Sequence, residues 1–519
     1  MQYPLLRHII NILHTHRLEA YLVGGAVRDM LLGRERIVDL DFVTPGDGLA
    51  AARRVANALG AAFYPLDAER GTGRVVLSSS ATQLEPAQKL ANRAPTPGTA
   101  AAWEPPLLSH GAAQNYLDFA SLRGATLLDD LADRDFTANA IALRLAEPFE
   151  LIDPLGGQQD LARRQLRAAS ATALTHDPVR VLRAVRQAVE LDFTLEAHTE
   201  QLVREAAPAL PQVSPERRRD ELLKLLNTPA PGQAVQKLRD VGVIPYSVPE
   251  IEPMMGVAQG PPHYLDVFDH TVAALEQWAE LLHSNWSDLS ETLRSPIAAY
   301  LAEPLAGHLS RQQLLPLALL LHDTGKPEMR EETERAGARP APTEDTKIRF
   351  WGHEKISAKI ARRLMNRFRF SSQAGDFVAA VVAQHMRPLL LANEGSTSRR
   401  AVYRFFRDSG EAGVAAALHA LADHRATYPP GQSQAEWLRL REVVVKLITA
   451  YFEQREQVVD PPPLLSGHDL MQIFDLPEGR LIGVLLNRLR EAQATGEVTD
   501  KAAALAFIQN DPDVMKRSD

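Results

Sequence analysis

Apolar positions along the chain follow two different periods. In the first 121 residues, short apolar runs alternate with turn residues: a strand over 20–23, a glycine turn, a short helix and a strand carrying Asp39 and Asp41. Two more strands are predicted at "GRVVLS" near 75 and "NYLDFASLRG" near 119. The pattern becomes helical over 130–245 and 264–450, and a last helical piece follows "VVDPPPLLSG". This order predicts an α+β protein: an N-terminal head with a mixed sheet and helices, then all-helical regions.

Breaks in the pattern predict the domain boundaries. The Pro/Gly-rich stretch "GVIPYSVPEIEPMMGVAQGPPHY" marks a junction. We therefore predict a head over 1–155, a helical neck over 156–245, a third domain over 246–450 and a helical tail over 455–519. The Ala/Pro-rich segment at about 80–113 is predicted to be a mobile insertion in a hairpin, and "ERAGARPAPTEDT" a second loose loop.

Composition narrows the classes of partner and metal site. The 519-residue chain has no cysteine, so any metal must be held by His, Asp, Glu or water. The start of the chain lacks a signal-peptide pattern, and the longest apolar run, "LLPLALLL" at 314–321, is far shorter than a membrane span, so we expect a cytoplasmic protein. A net charge of −8 argues against a globally basic nucleic-acid binder, but arginine is concentrated over 163–219.

Candidate chemistry begins at the first glycine turn. Gly24 and Gly25 end a strand and open a helix, where backbone N–H groups and Arg28 could hold a phosphate. Asp39 and Asp41, two apart on a strand, share a face and repel each other, an arrangement that a divalent cation would relieve. Taken alone, a tight turn and a surface strand edge explain the same residues. Together, an anion cradle and paired carboxylates suit metal-dependent phosphoryl transfer.

Several segments in this region carry a family resemblance. "LVGGAVRDMLLG" and "DLDFVT" are followed in order by "DRDFTANAIAL" at 133–143, "LIDPLGGQQDL" at 151–161, "HDPVRVLRAVRQAVELDFTL" at 176–195 and "SPERRRDELLKLL" at 214–226. Residues 20–226 thus resemble the class II tRNA nucleotidyltransferases and bacterial poly(A) polymerases of the polymerase-beta-like superfamily. The sequence departs from the family pattern at His176, where the family usually has Glu, and at Asp133, where it often has Arg.

The resemblance assigns roles to these residues. Asp39 and Asp41 would be the catalytic carboxylates that hold Mg²⁺, and Asp118 is a candidate third ligand, with an ordinary exposed strand residue as the alternative. Asp177 and Arg180 would act as a protein template that reads the bases of CTP and ATP, and Asp135 and Asn139 would brace the helix that carries the arginine stripe. The remaining nucleotide-binding residues would be Gly24, Gly25, Arg28, Arg134, Arg183 and Arg186. The three arginines of 180–186 are spaced three apart, which on a helix gives one slowly drifting stripe.

A second constellation lies in the helical region. His270, the pair His322-Asp323, His353, His385 and Asp423 occur in the order that resembles a metal-dependent HD phosphohydrolase domain, with Lys326 nearby. Each histidine taken singly is more often a core or capping residue. Mixed His and carboxylate ligands suit Ni²⁺, Co²⁺, Mn²⁺ or Zn²⁺ better than Mg²⁺. The pair His468-Asp469 has no further histidine downstream and is predicted to be a helix cap without metal.

The resemblance implies an enzyme that adds CCA to the 3′ end of tRNA from CTP and ATP, with contacts to the acceptor stem and elbow. Its HD domain would be a phosphatase or 2′,3′-cyclic phosphodiesterase. Three alternatives stay open: a poly(A) polymerase, a CC-adding or A-adding enzyme, and an HD domain with only a structural or RNA-binding role.

Overall fold

The computed structural model describes residues 4–34, 40–77, 116–305, 309–333, 347–395, 397–429, 431–432 and 434–518. The chain divides into an N-terminal unit, Met1–Val213, and a C-terminal unit, Ser214–Asp519. The division lies inside the predicted neck. Asp39, the predicted insertion at 80–113 and the predicted loop "ERAGARPAPTEDT" all lie outside the described residues.

The N-terminal unit begins with a helix and then combines a sheet with short helices. Its strands are β1 Tyr21–Val23, β2 Leu40–Thr44, β3 Ala62–Asp67, β4 Thr72–Val76, β5 Tyr116–Ser121, β6 Ala142–Arg144, β7 Glu150–Ile152, β8 Gln165–Leu166 and β9 Thr194–Leu195. Its α-helices are α1 Pro4–Thr15, α2 Gly25–Leu31, α3 Gly48–Leu59, α4 Leu127–Ala132, α5 Gly157–Ala162, α6 Ala173–His176, α7 Arg180–Leu191 and α8 Ala197–Ala206. Short 3₁₀ turns occupy Thr137–Asn139 and Ala207–Gln212.

One mixed sheet organises this unit. Within the described residues, seven strands lie in the order β3-β4-β5-β2-β1-β6-β7. Strand β2 pairs in parallel with β5 and antiparallel with β1. Phe42 of β2 stacks on Phe119 of β5 with ring centroids 4.5 Å apart, and both side chains are buried. The parallel pairing brings together two strands that are far apart in the sequence.

The close approach of α3 to the sheet depends on glycine. A Cβ atom added at Gly48 would lie 2.4 Å from the carbonyl oxygen of Gly71 and 2.5 Å from backbone atoms of β5. A Cβ atom at Gly73 would lie 2.9 Å from that of Ala52. Larger side chains at these positions would push α3 away from the sheet.

The predicted fold class, a mixed-sheet head followed by helical regions, is confirmed. The helical prediction from residue 130 onward was wrong for β6 and β7, which complete the large sheet. These strands are three residues each, too short for an alternating pattern to show in the sequence. A small sheet of β8 and β9 also lies within the predicted neck.

The C-terminal unit is built mainly of helices. Its helices are α9 Pro215–Leu226, α10 Pro231–Asp240, α11 Ile244–Ser247, α12 Val267–His283, α13 Glu291–Ala302, α14 Arg311–Leu321, α15 His353–Arg367, α16 Ser372–Gln384, α17 Arg387–Asn393, α18 Arg399–Ser409, α19 Gly413–Thr427, α20 Gln434–Glu453, α21 Gly467–Ile473, α22 Arg480–Thr495, α23 Lys501–Gln509 and α24 Pro512–Ser518. Turns of 3₁₀ helix occupy Pro249–Met254 and Gly410–Ala412, and a π-helical turn occupies Arg455–Val459. Strands β10 Glu331–Thr333 and β11 Lys347–Arg349 form an antiparallel pair that the helical pattern did not predict.

Two buried helices form the centre of this unit. Helix α14 carries the "LLPLALLL" run, and every residue of that run is buried. Helix α19 is buried on nearly all sides, and α12, α15 and α16 pack around the pair. The last four helices have a core of their own. No helix within the described ranges combines the length and apolarity that a membrane span needs.

Candidate active sites

The glycine turn after β1 is the first predicted element of the nucleotide site. Gly24 has φ +76°, and a Cβ atom there would lie 3.2 Å from Arg134 Nη1 and 3.6 Å from Asp41 Oδ2. Strand register explains why Asp41 lies so close to Gly24, since Val23 at the end of β1 pairs with Asp41. The turn, Arg134 and Asp41 therefore converge, and a side chain at position 24 would be strained as well as crowded.

A pair of carboxylates lies on neighbouring strands beside this turn. Asp41 and Asp118 are register partners across the parallel β2–β5 pair, so their side chains project from the same face of the sheet. Asp41 is exposed on a strand whose other residues are buried. Carboxylate oxygens are the ligands that Mg²⁺ prefers, so the donor chemistry of this pair fits that ion.

Asp118 already has a strong partner. Arg74, opposite it on β4, donates from Nε and Nη2 to the two carboxylate oxygens at 2.8 and 2.7 Å. The same guanidinium lies 4.0 Å from the ring centroid of Tyr116. Arg74 was not predicted to be a site residue; it lies at the centre of β4, within the predicted "GRVVLS" strand. Metal binding by Asp118 would have to compete with this bidentate ion pair.

A buried polar network joins Arg28 to α7. Arg28 Nη1 donates to Asn139 Oδ1 at 2.8 Å, and Asn139 Nδ2 donates to Asp135 Oδ1 at 2.9 Å and to Gln187 Oε1 at 3.0 Å. Arg183 Nη1 lies 3.1 Å from the second oxygen of Asp135. Burial favours protonation of Asp135, but Arg183 and the hydrogen bonds outweigh it and lower the pKa of that carboxyl. These contacts agree with the bracing role predicted for Asp135 and Asn139.

Arg180 is occupied by the backbone. The side chain is buried; Nη1 donates to the carbonyls of Arg134 at 3.2 Å and Ala173 at 3.1 Å, and Nη2 donates to that of Asp133 at 2.9 Å. The Nε atom lies 3.8 Å from Asp177 Oδ2. In this conformation Arg180 holds the segment that carries Arg134, and it presents little donor capacity to a base.

The other predicted residues lie nearby in the same unit. Arg186 Nη1 pairs with Glu190 at 2.7 Å along α7. Asp130 was not predicted; it is fully buried and accepts from Arg134 at 2.9 Å, a pairing that the four-residue spacing on a helix could have suggested. It fixes the Arg134 guanidinium beside the glycine turn.

The HD residues meet in one buried cluster of the C-terminal unit. His270 Nε2 lies 2.8 Å from Asp423 Oδ1, and His322 Nε2 lies 3.1 Å from Asp323 Oδ2 and 3.6 Å from Asp423. His353 Nε2 lies 3.2 Å from Asp323 Oδ1. Two triads have the spacing of a metal site: the first is His270, His322 and Asp423, and the second is His322, Asp323 and His385.

Backbone carbonyls orient three of these rings. The Nδ1 atoms of His322, His353 and His385 lie 2.7, 2.8 and 2.7 Å from carbonyl oxygens three residues earlier in the chain. A carbonyl can only accept, so each Nδ1 carries the proton. Each Nε2 is then the atom left for a ligand bond, which is the usual arrangement of metal-binding histidines.

The charge of the cluster fits a cation. Neither oxygen of Asp323 has a hydrogen bond of good geometry within the described residues, although Lys326 Nζ lies 2.6 Å from Oδ2. Burial opposes a proton on His322, but Asp323 and Asp423 outweigh it and raise the pKa of His322 to about 10. The same two carboxylates would favour a divalent cation at this position.

Two further histidines were missed by the sequence analysis. His419 is fully buried, its ring lies 5.0 Å from that of His322, and neither of its nitrogens has a hydrogen-bond partner among the described residues. His263 meets His270 edge-on with ring centroids 4.9 Å apart. Burial lowers the pKa of each to about 3, so both are neutral. Of these two, only His419 could have been predicted from the sequence, because it lies four residues before Asp423 and therefore on the same face of one helix.

The pair His468-Asp469 lies in the first turn of α21, and of the two only Asp469 takes part in the helix cap. Ser466 and Asp469 form a reciprocal capping box at the start of α21. His468 belongs to neither metal-spaced triad.

Family profiles match both units. Residues 20–167 match "Poly A polymerase head domain", residues 192–255 match "Probable RNA and SrmB- binding site of polymerase A", and residues 297–448 match "HD domain". Together with the mixed sheet and the His/Asp cluster, these matches define a nucleotidyltransferase that carries an HD domain.

Relatives of similar length identify the family. The chain is 35% identical to an A-adding tRNA nucleotidyltransferase of Deinococcus radiodurans, over 94% of this chain and 95% of that one. It is 30% identical to a CC-adding tRNA nucleotidyltransferase of Thermus thermophilus, over 94% and 93%. The chain belongs to the class II tRNA nucleotidyltransferase and poly(A) polymerase family.

Solved structures agree on the fold. A CCA-adding enzyme in complex with ATP matches with a TM-score of 0.58 and 18% identity, over 99% of this chain and 95% of that one. The CCA-adding enzyme of Thermotoga maritima in complex with tRNA matches with a TM-score of 0.53 and 18% identity, over 99% and 95%.

Proposed function

We propose that this protein adds nucleotides to the 3′ end of tRNA, and that AMP addition is the step it performs. The observation that carries this proposal is the 35% identity to an A-adding relative along nearly the whole length of both chains. The CC-adding relatives are 29–30% identical over a similar length. CC addition and complete CCA addition are the outcomes against which the proposal is tested.

The site supports this chemistry through its carboxylates and cations. Asp41, with Asp39 and Asp118, would hold Mg²⁺, which supplies charge neutralisation for the triphosphate and activates the RNA hydroxyl. Arg134 lies beside the glycine turn, where it would contact the phosphates of ATP or CTP. The neck, with Asp177, Arg183 and Arg186, would face the base and the tRNA.

Four tRNA transcripts that differ at the 3′ end separate the candidate products. The first lacks CCA, the second lacks CA, the third lacks the final A, and the fourth is complete. Each is incubated with Mg²⁺ and ATP or CTP singly and together. We expect AMP addition only to the transcript that ends in CC. Addition of C overturns AMP specificity, and long A-tailing of unrelated RNA identifies a poly(A) polymerase instead.

Single substitutions test the carboxylate assignment. Asp39→Ala and Asp41→Ala should each abolish nucleotide addition while tRNA binding in a gel-shift assay stays nearly unchanged. Asp67→Asn, on β3 of the same sheet and half exposed, is the matched control and should retain activity. Normal extension by either alanine variant would refute the metal assignment.

We further propose that the HD cluster is an active phosphohydrolase centre that hydrolyses a phosphomonoester or a 2′,3′-cyclic phosphate. The observation that carries this is the convergence of oriented Nε2 atoms on two buried carboxylates. The cluster would hold Ni²⁺, Co²⁺ or Mn²⁺ through His270, His322, Asp323 and Asp423, with His353 and His385 beside them. A bound metal would supply an activated water. In hydrolysis the water oxygen bonds to phosphorus, the P–O ester bond breaks, and the leaving oxygen takes up the proton that the water gave up.

Hydrolysis of 2′,3′-cyclic AMP and of p-nitrophenyl phosphate, each with the three metals, tests this centre. His322→Ala should abolish hydrolysis and leave tRNA extension intact. His283→Ala is the control, because His283 lies on α12 with His270 but outside the cluster. If His322→Ala retains wild-type hydrolysis, or if no metal supports hydrolysis of either ester, the HD domain has a structural role.

A further inference from the structure

Two exposed aromatic residues flank the buried HD histidines. Trp351 has 69% of its surface exposed, the largest value among the exposed large apolar residues described in this unit, and Tyr264 has 49%. Trp351 stands two residues before His353, and Tyr264 follows His263 directly. An exposed aromatic ring beside a buried polar centre offers a face on which a base can stack.

The two segments that carry these rings meet each other. A Cβ atom at Gly260 would lie 3.9 Å from the side chain of Ile348, so the loop before Tyr264 touches the strand before Trp351. The loop is also tied to the cluster, because Lys326 Nζ donates to Gln259 Oε1 at 2.7 Å in a buried hydrogen bond. Both aromatic residues therefore lie on segments anchored beside the His/Asp cluster.

Local geometry restricts the position of Trp351. Gly352 caps α15 with φ +81°, and His353 opens that helix with Nδ1 held by the Phe350 carbonyl. The ring centroid of Phe350 in turn lies 5.5 Å from Lys326 Nζ. The backbone on both sides of Trp351 is thus fixed by contacts to the cluster, while the indole itself remains in solvent.

We propose that Trp351 is a stacking platform for the base of a nucleotide whose phosphate binds at the HD cluster, with Tyr264 as a second aromatic contact. The proposal rests on the phosphohydrolase function proposed above and names the residue that would make this centre prefer nucleotides to small phosphate esters. A metal centre recognises phosphate without regard to what it is attached to. Stacking on an aromatic ring adds affinity for any base, about five- to a hundredfold per base.

Binding to the full-length protein tests the proposal directly. Guanosine 3′-monophosphate carries a base that is neither of those expected at the nucleotidyltransferase site, and glycerol 2-phosphate is an ester without a base. Equilibrium dialysis gives Kd for both, and hydrolysis with Mn²⁺ gives KM. We expect Trp351→Ala to raise Kd for the guanosine ester at least about fivefold and to change that for glycerol 2-phosphate less than twofold.

Two variants control for the loss of packing. Trp351→Phe keeps an aromatic face and should restore most of the affinity, while Leu390→Ala, at another exposed apolar position, should change nothing. Equal effects of Trp351→Ala on both esters, or no effect on either, would overturn the proposal. If wild type binds the guanosine ester through Trp351 but hydrolyses neither ester, the phosphohydrolase function fails and the stacking site stands.

Discussion

Replacement of Arg180 by alanine separates two roles for this residue. The family resemblance assigns Arg180 to base reading, whereas the structure commits both Nη atoms to three backbone carbonyls around Arg134. If the structural role holds, Arg180→Ala should loosen the segment before β6 in the absence of any nucleotide.

The magnitude follows from the contacts. A hydrogen bond from a charged donor contributes about 1.5–3 kcal/mol, and three would sum to roughly 4.5–9 kcal/mol if they were additive. Two of the three are longer than 3.0 Å, and water could reach carbonyls left by the truncated side chain. We therefore expect a loss of about 3–5 kcal/mol, comparable with breaking a buried charge pair.

Hydrogen exchange measured by mass spectrometry reads this loss locally, which suits a protein with two compact units. Amides over residues 130–145 should exchange about 100- to 4,000-fold faster in Arg180→Ala, given about 1.4 kcal/mol per tenfold change. Arg180→Lys can satisfy some of the carbonyls and should give a smaller acceleration. Arg204→Ala, whose side chain is 51% exposed and pairs along α8, is the matched control and should cost less than about 0.5 kcal/mol.

Unchanged exchange in Arg180→Ala would refute the reasoning. If that variant instead extended tRNA with altered choice between ATP and CTP while its exchange stayed at the wild-type rate, Arg180 would be the base reader that the resemblance implies.

Three further predictions concern other sites. Asp135→Asn should lower the free energy of unfolding by about 1.5–3 kcal/mol near neutral pH. Because the pKa of Asp135 is lowered in the folded state, the difference from wild type in urea unfolding should hold above about pH 4 and shrink as the pH falls through that lowered pKa. A pH-independent difference would contradict the Arg183 pairing. Gly48→Ala should lower the thermal unfolding midpoint, because its Cβ would lie within 2.5 Å of three backbone atoms and this overpacking should lower the free energy of unfolding by about 1–3 kcal/mol. An unchanged midpoint would show that α3 can shift freely. Lys326→Met should tighten Mn²⁺ binding in titration calorimetry, because the Lys326 ammonium lies 2.6 Å from Asp323 and competes with the metal for that carboxylate. Weaker binding would mean that the ammonium orients the Asp323 carboxylate instead.

The tertiary contacts explain where the sequence analysis succeeded. The strands near 75 and 119, the long amphipathic helices and the start of a helix near His468-Asp469 depend on residues close together in the chain, and each was predicted. The HD residues were also identified from their order, and the structure brings their side chains into one cluster. Strands β6 and β7 were missed because a three-residue strand carries no periodic signal and is stabilised by its neighbours in the sheet.

The sequence by itself determined the local elements, the family and the residue types available for each site, since spacing fixes which side chains share a face of a helix or strand. Only the tertiary structure decided which of them meet. Strand register across a 77-residue separation sets Asp41 beside Asp118 and places Arg74 opposite Asp118. Helix packing brings His419 to His322, and burial turns Arg180 toward backbone carbonyls. These pairings depend on long-range packing and on the need to satisfy buried polar groups, which no short stretch of sequence records.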